Sequence, residues 1–188
     1  QYRFRLRGNL GEFLLLRQPD SSAGVNQGGL WQLTVYEPFT VPQGMAGAVF
    51  YQIFPDRFCS SGTPKTGVPQ DRVMHTDWYE DPVDRPNDQG KFLCNDYFGG
   101  DLRGIREKLP YLAGLGVEVL YLNPIFEAHS NHRYNTADYK KVDPLLGTEE
   151  DFRALCAAAK KLGMRVVLDG VFNHTGSDSI YFNREKRY

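Results

Sequence analysis

Three apolar runs separated by two amphipathic stretches constrain this chain more than any other feature. Val49 to Phe54, Val117 to Leu122 and Val166 to Leu168 read as strands. Between the first two lie Leu102, Ile105, Leu109 and Leu112. Between the second and third lie Phe152, Leu155, Cys156, Ala159 and Leu162. Both sets recur at the 3.6-residue period of a helix with one buried face. The order β-α-β-α-β predicts an α/β fold: a parallel sheet joined by right-handed crossovers. The run Val166-Val167-Leu168 predicts a strand covered on both faces.

The helix boundaries are marked by local chemistry. Asp101 is placed to cap the first helix, Pro110 should kink or split it, and Gly114 and Gly116 should end it. Thr148 opens the second helix, with Asp151 at the capping-box position, and Gly163 stops it. Upstream, residues 1–37 read as β structure. Tyr2, Phe4 and Leu6 alternate with Arg3, Arg5 and Arg7, predicting a strand with one wet face. Gly8-Asn9 is a turn signal, Phe13 to Leu16 a second strand, and Trp31 to Tyr36 a third. Three strands cannot close a sandwich, so this segment reads as the end of an N-terminal β domain. Residues 38–47, with two prolines and two glycines, read as a linker, and residues 48–188 as a second domain.

Lys plus Arg (22) nearly cancel Asp plus Glu (23), which argues against nucleic acid or an acidic membrane surface as partner. No apolar run approaches the roughly 20 residues of a membrane span. No secretory leader is legible, and Gln1 is not a natural first residue. Cys59, Cys94 and Cys156 are widely spaced and odd in number, so they read as free thiols in a reducing compartment, the cytoplasm.

Polar groups gather where strands end. Asp169, Asn173 and His174 follow the third strand within six residues. The connections Cys59–Phe98 and Asn123–Gly147 are long for a compact domain, a mark of function or mobility. The second holds Glu127, His129, Asn131, His132, Arg133, Tyr134, Asn135, Asp138 and Tyr139. Neutral sugars need such a set: amides, imidazoles and carboxylates for hydroxyls, and rings for the C–H face. Glu127, His129, His132 and His174 could instead supply a zinc site, although no His-Glu-x-x-His helix or cysteine pair supports it. Gly99-Gly100-Asp101 reads as a tight turn with a cap. Asn173-His174-Thr175 fits a glycosylation pattern that is common by chance.

Several segments together resemble the α-amylase superfamily, glycoside hydrolase family 13, and within it the neopullulanase, cyclomaltodextrinase and maltogenic amylase branch. Residues 48–58 (AVFYQIFPDRF) resemble its first barrel strand and residues 97–105 (YFGGDLRGI) the entry to its first helix. Residues 120–126 (LYLNPIF) resemble its second strand, residues 130–139 (SNHRYNTADY) the loop after it, and residues 169–174 (DGVFNH) the motif on its third strand. The resemblance implies the first three β/α units of a (β/α)₈ TIM barrel, and implies that residues 1–37 are the last strands of an N-terminal β-sandwich domain.

It also implies retaining hydrolysis of α-glucosidic bonds in an α-glucan oligosaccharide. His132 and His174 then bind sugar hydroxyls, Tyr134 stacks under the ring, and Asp169 and Asn173 support the site. Retaining chemistry requires two carboxyl groups about 5–5.5 Å apart. The nucleophilic Asp and acid Glu of the family belong to later strands, expected beyond Tyr188, so the 188 residues alone are expected to be inactive. No cofactor is required. Some relatives bind calcium through Gly99, Asp101 and an acidic loop, but here residues 59–67 (CSSGTPKTG) lack those acids, so the site is expected to be lost. A homodimer is one expectation for the parent protein. The alternative function is a non-catalytic amylase-like barrel used for carbohydrate or partner binding.

Overall fold

A computed structural model of the chain describes residues 1–66, 68–184 and 186. The chain divides into two compact units, Gln1–Pro42 and Gln43–Tyr188. The first holds an antiparallel sheet of β1 (Phe4–Gly8), β2 (Gly11–Arg17) and β3 (Ala23–Val25), in that spatial order. Gly8 pairs with Gly11 across the turn, and the left-handed φ of Gly11, +113°, closes it. The third strand lies earlier than expected. Trp31 makes only a bridge to Tyr2, stacking on its ring and meeting Phe4 edge-on. Leu33, Val35 and Tyr36 are 69%, 87% and 70% exposed, so no apolar surface rewards extending that segment as a strand. All five residues of β1 are exposed, in place of the single wet face expected.

The second unit is built on three parallel strands: β4 (Phe50–Ile53), β7 (Val119–Leu122) and β10 (Arg165–Leu168), with β7 in the middle. A 3-10 turn at Pro55–Arg57 follows β4, and a small parallel pair, β5 (Val73–Met74) and β6 (Asp96–Tyr97), lies in the first long connection. The helix expected from Asp101 is split by Pro110 into α1 (Leu102–Glu107) and α2 (Leu109–Gly114), with Lys108 ending one and opening the other. Gly116, at φ +78°, makes the left-handed exit.

The second long connection is a bulged hairpin of β8 (Phe126–Ala128) and β9 (Thr136–Val142). α3 (Glu149–Lys161) then leads into β10, and its capping box is complete: Thr148 Oγ1 accepts from Asp151 N, and the Asp151 carboxylate accepts from Thr148 N.

The core forms where Ile53, Leu120 and Leu122 meet Leu102, Ile105, Leu109, Leu112, Leu155 and Ala159, all essentially inaccessible to solvent. Each fully buried leucine there contributes on the order of 1.5–3 kcal/mol. β10 differs from expectation: Arg165 is exposed and Val166 to Leu168 are only half-buried. Among the described residues it has a ladder partner, β7, on one side only. Replacing Thr148 with alanine removes one half of the capping box. It should lower stability by about 1 kcal/mol in chemical denaturation, with the slope of the transition unchanged.

Candidate functional site

Register builds the site. Gln52, Tyr121 and Val167 lie level across β4, β7 and β10. Alternation turns them away from the face on which Ile53, Leu122 and Leu168 meet the helices. Asn123 and Asp169 follow two residues after Tyr121 and Val167, and their backbone amides continue the ladder by donating to Ile53 O (2.9 Å) and Leu122 O (3.0 Å). The polar side chains then find each other. Gln52 Nε2 donates to Asn123 Oδ1 at 2.7 Å, and Tyr134 Oη donates to Asp169 Oδ2 at 2.8 Å. Burial, and then the Asp169 charge, push the Tyr121 phenol upward. Burial, reinforced by the hydrogen bond and charge of Asp169, pushes the Tyr134 phenol up to about 12, which makes it a neutral donor at ordinary pH.

The loop between β8 and β9 carries the other polar groups. His132 Nδ1 accepts from Tyr134 N at 3.1 Å, with Ser130 Oγ also 3.1 Å away. Ser130 donates its proton to Asn135 Oδ1. With the Nδ1 lone pair engaged by a backbone N–H, the neutral ring carries its proton on Nε2. Burial, and then the neighbouring Arg133 charge, pull the His132 pKa down. Its ring lies 5.9 Å from that of Tyr134, tilted by 33°. Arg133, between them, points the other way. Its side chain and that of Asp143 have no solvent exposure, and their nearest charged atoms are 3.0 Å apart. The N–H direction does not make that contact a hydrogen bond, so the attraction is chiefly electrostatic. Arg133 Nη1 donates to Asn131 O at 2.7 Å.

The first long connection is tied down by carboxylates. Asp56 accepts from the backbone of Phe98 and Gly99. Asp96 accepts from Arg57, His75, Asn131 and the Val83 amide. Burial alone would raise the Asp96 pKa, but these donors and the Arg57 charge outweigh it and lower it. His75 stacks on Phe98 at 4.1 Å. Burial would lower its pKa, yet hydrogen bonds to Glu80 and Asp96 raise it.

The structure joins Tyr134 to Asp169 and sets His132 beside them. His174 and Asn173 are exposed and contact each other through Nδ1 and Nδ2 at 3.3 Å. The backbone near them is tethered by Tyr139, whose hydroxyl donates to Val171 O and His174 O. The zinc grouping does not form: among the described residues no three His, Cys, Asp or Glu side chains are placed to hold a metal. His129 faces Asp71, Glu127 faces Lys141, and His132 is engaged within its own loop. Calcium fits no better at Gly99 and Asp101, because protein donors already fill the Asp101 carboxylate. All three cysteines are free thiols. Sequence reasoning missed Gln52, Tyr121 and Asn123, although polar residues at alternate positions of apolar strands were a usable signal.

A parallel β/α sheet with polar groups converging beyond its strand ends defines an α/β enzyme-like scaffold. Residues 52–188 match the family model for the α-amylase catalytic domain, and the chain belongs to that family. It is 49% identical over 172 residues to an amylopullulanase of Thermoanaerobacterium saccharolyticum, covering 84% of this chain and 13% of that one. It is 38% identical over 185 residues to neopullulanase 2 of Thermoactinomyces vulgaris, covering 97% and 29%. Among solved structures it resembles the cyclic α-maltosyl-(1→6)-maltose hydrolase of Arthrobacter globiformis, with 41% identity, a TM-score of 0.64, and coverage of 78% of this chain and 30% of that one. The chain therefore spans less than a third of the length of each of these relatives.

The two half-buried histidines should titrate in opposite directions, as read by NMR of the imidazole carbons. His132 should protonate below the ordinary value of about 6.5, and His75 above it. His132 contributes stability that is present above the unfolded pKa and lost as pH falls through its folded one. His75 contributes stability that is present below the unfolded pKa and lost as pH rises through its folded one.

Proposed function

We propose that this chain is part of a retaining α-glucan hydrolase of the neopullulanase and cyclomaltodextrinase type. In this proposal the three parallel strands are the first three of eight in a TIM barrel, and residues 1–37 end an N-terminal β-sandwich domain. The observation that carries the proposal is the Tyr134–Asp169 hydrogen bond with His132 beside it, beyond the ends of parallel strands. Neutral donors and an aromatic face suit an uncharged polyhydroxylated ring better than an anion or a metal-bound substrate.

His132, its proton on Nε2, donates to a sugar hydroxyl. Tyr134 presents its ring to the C–H face, and Asp169 fixes that ring through the phenol. His174 supplies a second imidazole for sugar hydroxyls, and Asn173 supports its loop. Retaining hydrolysis needs two carboxyl groups about 5–5.5 Å apart. Asp169, already accepting from Tyr134, serves as a support, so the nucleophile and acid come from further strands of the parent enzyme.

Two outcomes follow. The purified 188-residue chain should show no turnover of maltotriose, pullulan or cyclodextrin, and sustained activity that copurifies with it would overturn this assignment. In the parent enzyme, His174→Ala should lower kcat/KM by roughly 10²-fold, about 3 kcal/mol of transition-state stabilisation. A loss under about threefold with the fold intact would make His174 a packing residue.

A further inference from the structure

We propose that Lys65 is a built-in cation that takes the place of a divalent metal at the Gly99-Gly100-Asp101 turn. The loop from Cys59 is thereby locked to the start of α1 without calcium.

Asp101 is almost completely buried, and all its acceptor capacity is used. Oδ1 accepts the α1 cap bond from Gly104 N at 2.7 Å and a second bond from Ser61 N at 3.3 Å. Oδ2 accepts from Ser61 Oγ at 2.8 Å and from Lys65 Nζ at 2.6 Å. A carboxylate offers about four lone-pair positions. Four donors fill them, and none remains for a metal.

The charge requirement is met in the same way. The Asp101 side chain is 3% exposed and that of Lys65 12%, so each is the other's principal compensation. The Lys65 stem also covers the second residue that a metal would use. Its Cε lies 3.7 Å from the point where a Cβ on Gly99 would stand. Gly99 has φ +77°, a conformation that L side chains resist.

The surroundings are those of an ammonium group, not of calcium. Calcium takes six to eight oxygens, usually several of them carboxylate. Here the neighbouring loop offers the hydroxyls of Ser61 and Thr63, bonded to each other at 2.9 Å. A cavity of about 280 Å³ lined by Lys65 and Asp101 is also lined by Arg103, whose guanidinium already pairs with Asp151 at 2.6 Å. A second cation therefore lines the same cavity.

The lock is structural. Asp101 N donates to Cys59 O, and Gly100 N donates to Asp56 O, so the turn also closes onto the segment that follows β4. A Cβ on Gly100 would collide with the carbonyl oxygens of Pro55 and Asp56, which shows how closely the two segments approach. A fixed side-chain cation at this junction makes its closure independent of the calcium concentration around the protein.

The test is thermal unfolding and calorimetric titration of the purified protein with calcium, alongside Lys65→Met and Lys65→Met/Asp101→Asn. The wild type should show no heat of calcium binding and no change in Tm between millimolar calcium and EDTA. Lys65→Met should lose roughly 5 °C or more in Tm, because it leaves a buried carboxylate without its counter-charge. The double variant should recover part of that loss, since Asn keeps the cap but removes the stranded charge. If Lys65→Met does not fold, recovery of a folded protein in the double variant supports the proposal. A double variant that is also unfolded overturns it. A wild type that binds calcium with a raised Tm overturns it, as does a Lys65→Met Tm equal to that of the wild type.

Discussion

Arg133 and Asp143 face each other with both side chains fully out of solvent, and the shape of the candidate site depends on that pair. An isolated buried charge is very costly, so neither residue can leave without stranding the other. Arg133 lies between His132 and Tyr134 with a left-handed φ of +60°, which a non-glycine residue adopts only when its surroundings impose it. Turning the guanidinium inward obliges its two neighbours to face the other way. One buried ion pair thus converts a connection between strands into a surface bearing an imidazole and a phenol. Asp143 extends the constraint: its Oδ1 accepts from Leu145 N, and its carbonyl accepts from Leu146 N and Gly147 N, leading the chain into α3.

The same device recurs along the first long connection, where Asp56, Asp96 and Asp101 are each buried and each satisfied by several donors. These loops are too polar to be held by apolar burial, so charge-assisted hydrogen bonds replace it. The apolar core lies beneath, between the helices and one face of the sheet, and leaves the other face free for Gln52, Tyr121 and Asp169. Fold and site therefore rest on different forces: apolar packing on one side of three strands, and buried polar networks at their ends.

That division explains what was legible in the sequence. The two helices, their caps and the Pro110 break depend on neighbours within a few residues, and Asp101, Thr148 and Asp151 signalled them. The three parallel strands followed from apolar runs. The hairpin of β8 and β9 did not, because its register shifts break the alternation that a strand signal needs. The half-open state of β10 was misjudged because a run of Val and Leu records composition, not which neighbour covers it. Of the site, His132, Tyr134 and Asp169 were readable as polar groups after strand ends. Arg133 was not readable as buried, since an arginine between His and Tyr looks like surface, and its partner Asp143 is recognised only in three dimensions.

Amide hydrogen exchange on Arg133→Met tests most directly whether the buried pair shapes the site. Breaking the pair should sharply increase exchange at Tyr134 N, which is bonded to His132 Nδ1, and at Thr136 and its neighbours at the start of β9. The amides of β7 should keep their protection, because the apolar core beneath is untouched. Unchanged protection at Tyr134 N in a folded variant would contradict the claim that the ion pair sets the loop. Equal loss of protection across β7 would show that the pair supports the whole fold and not the site in particular.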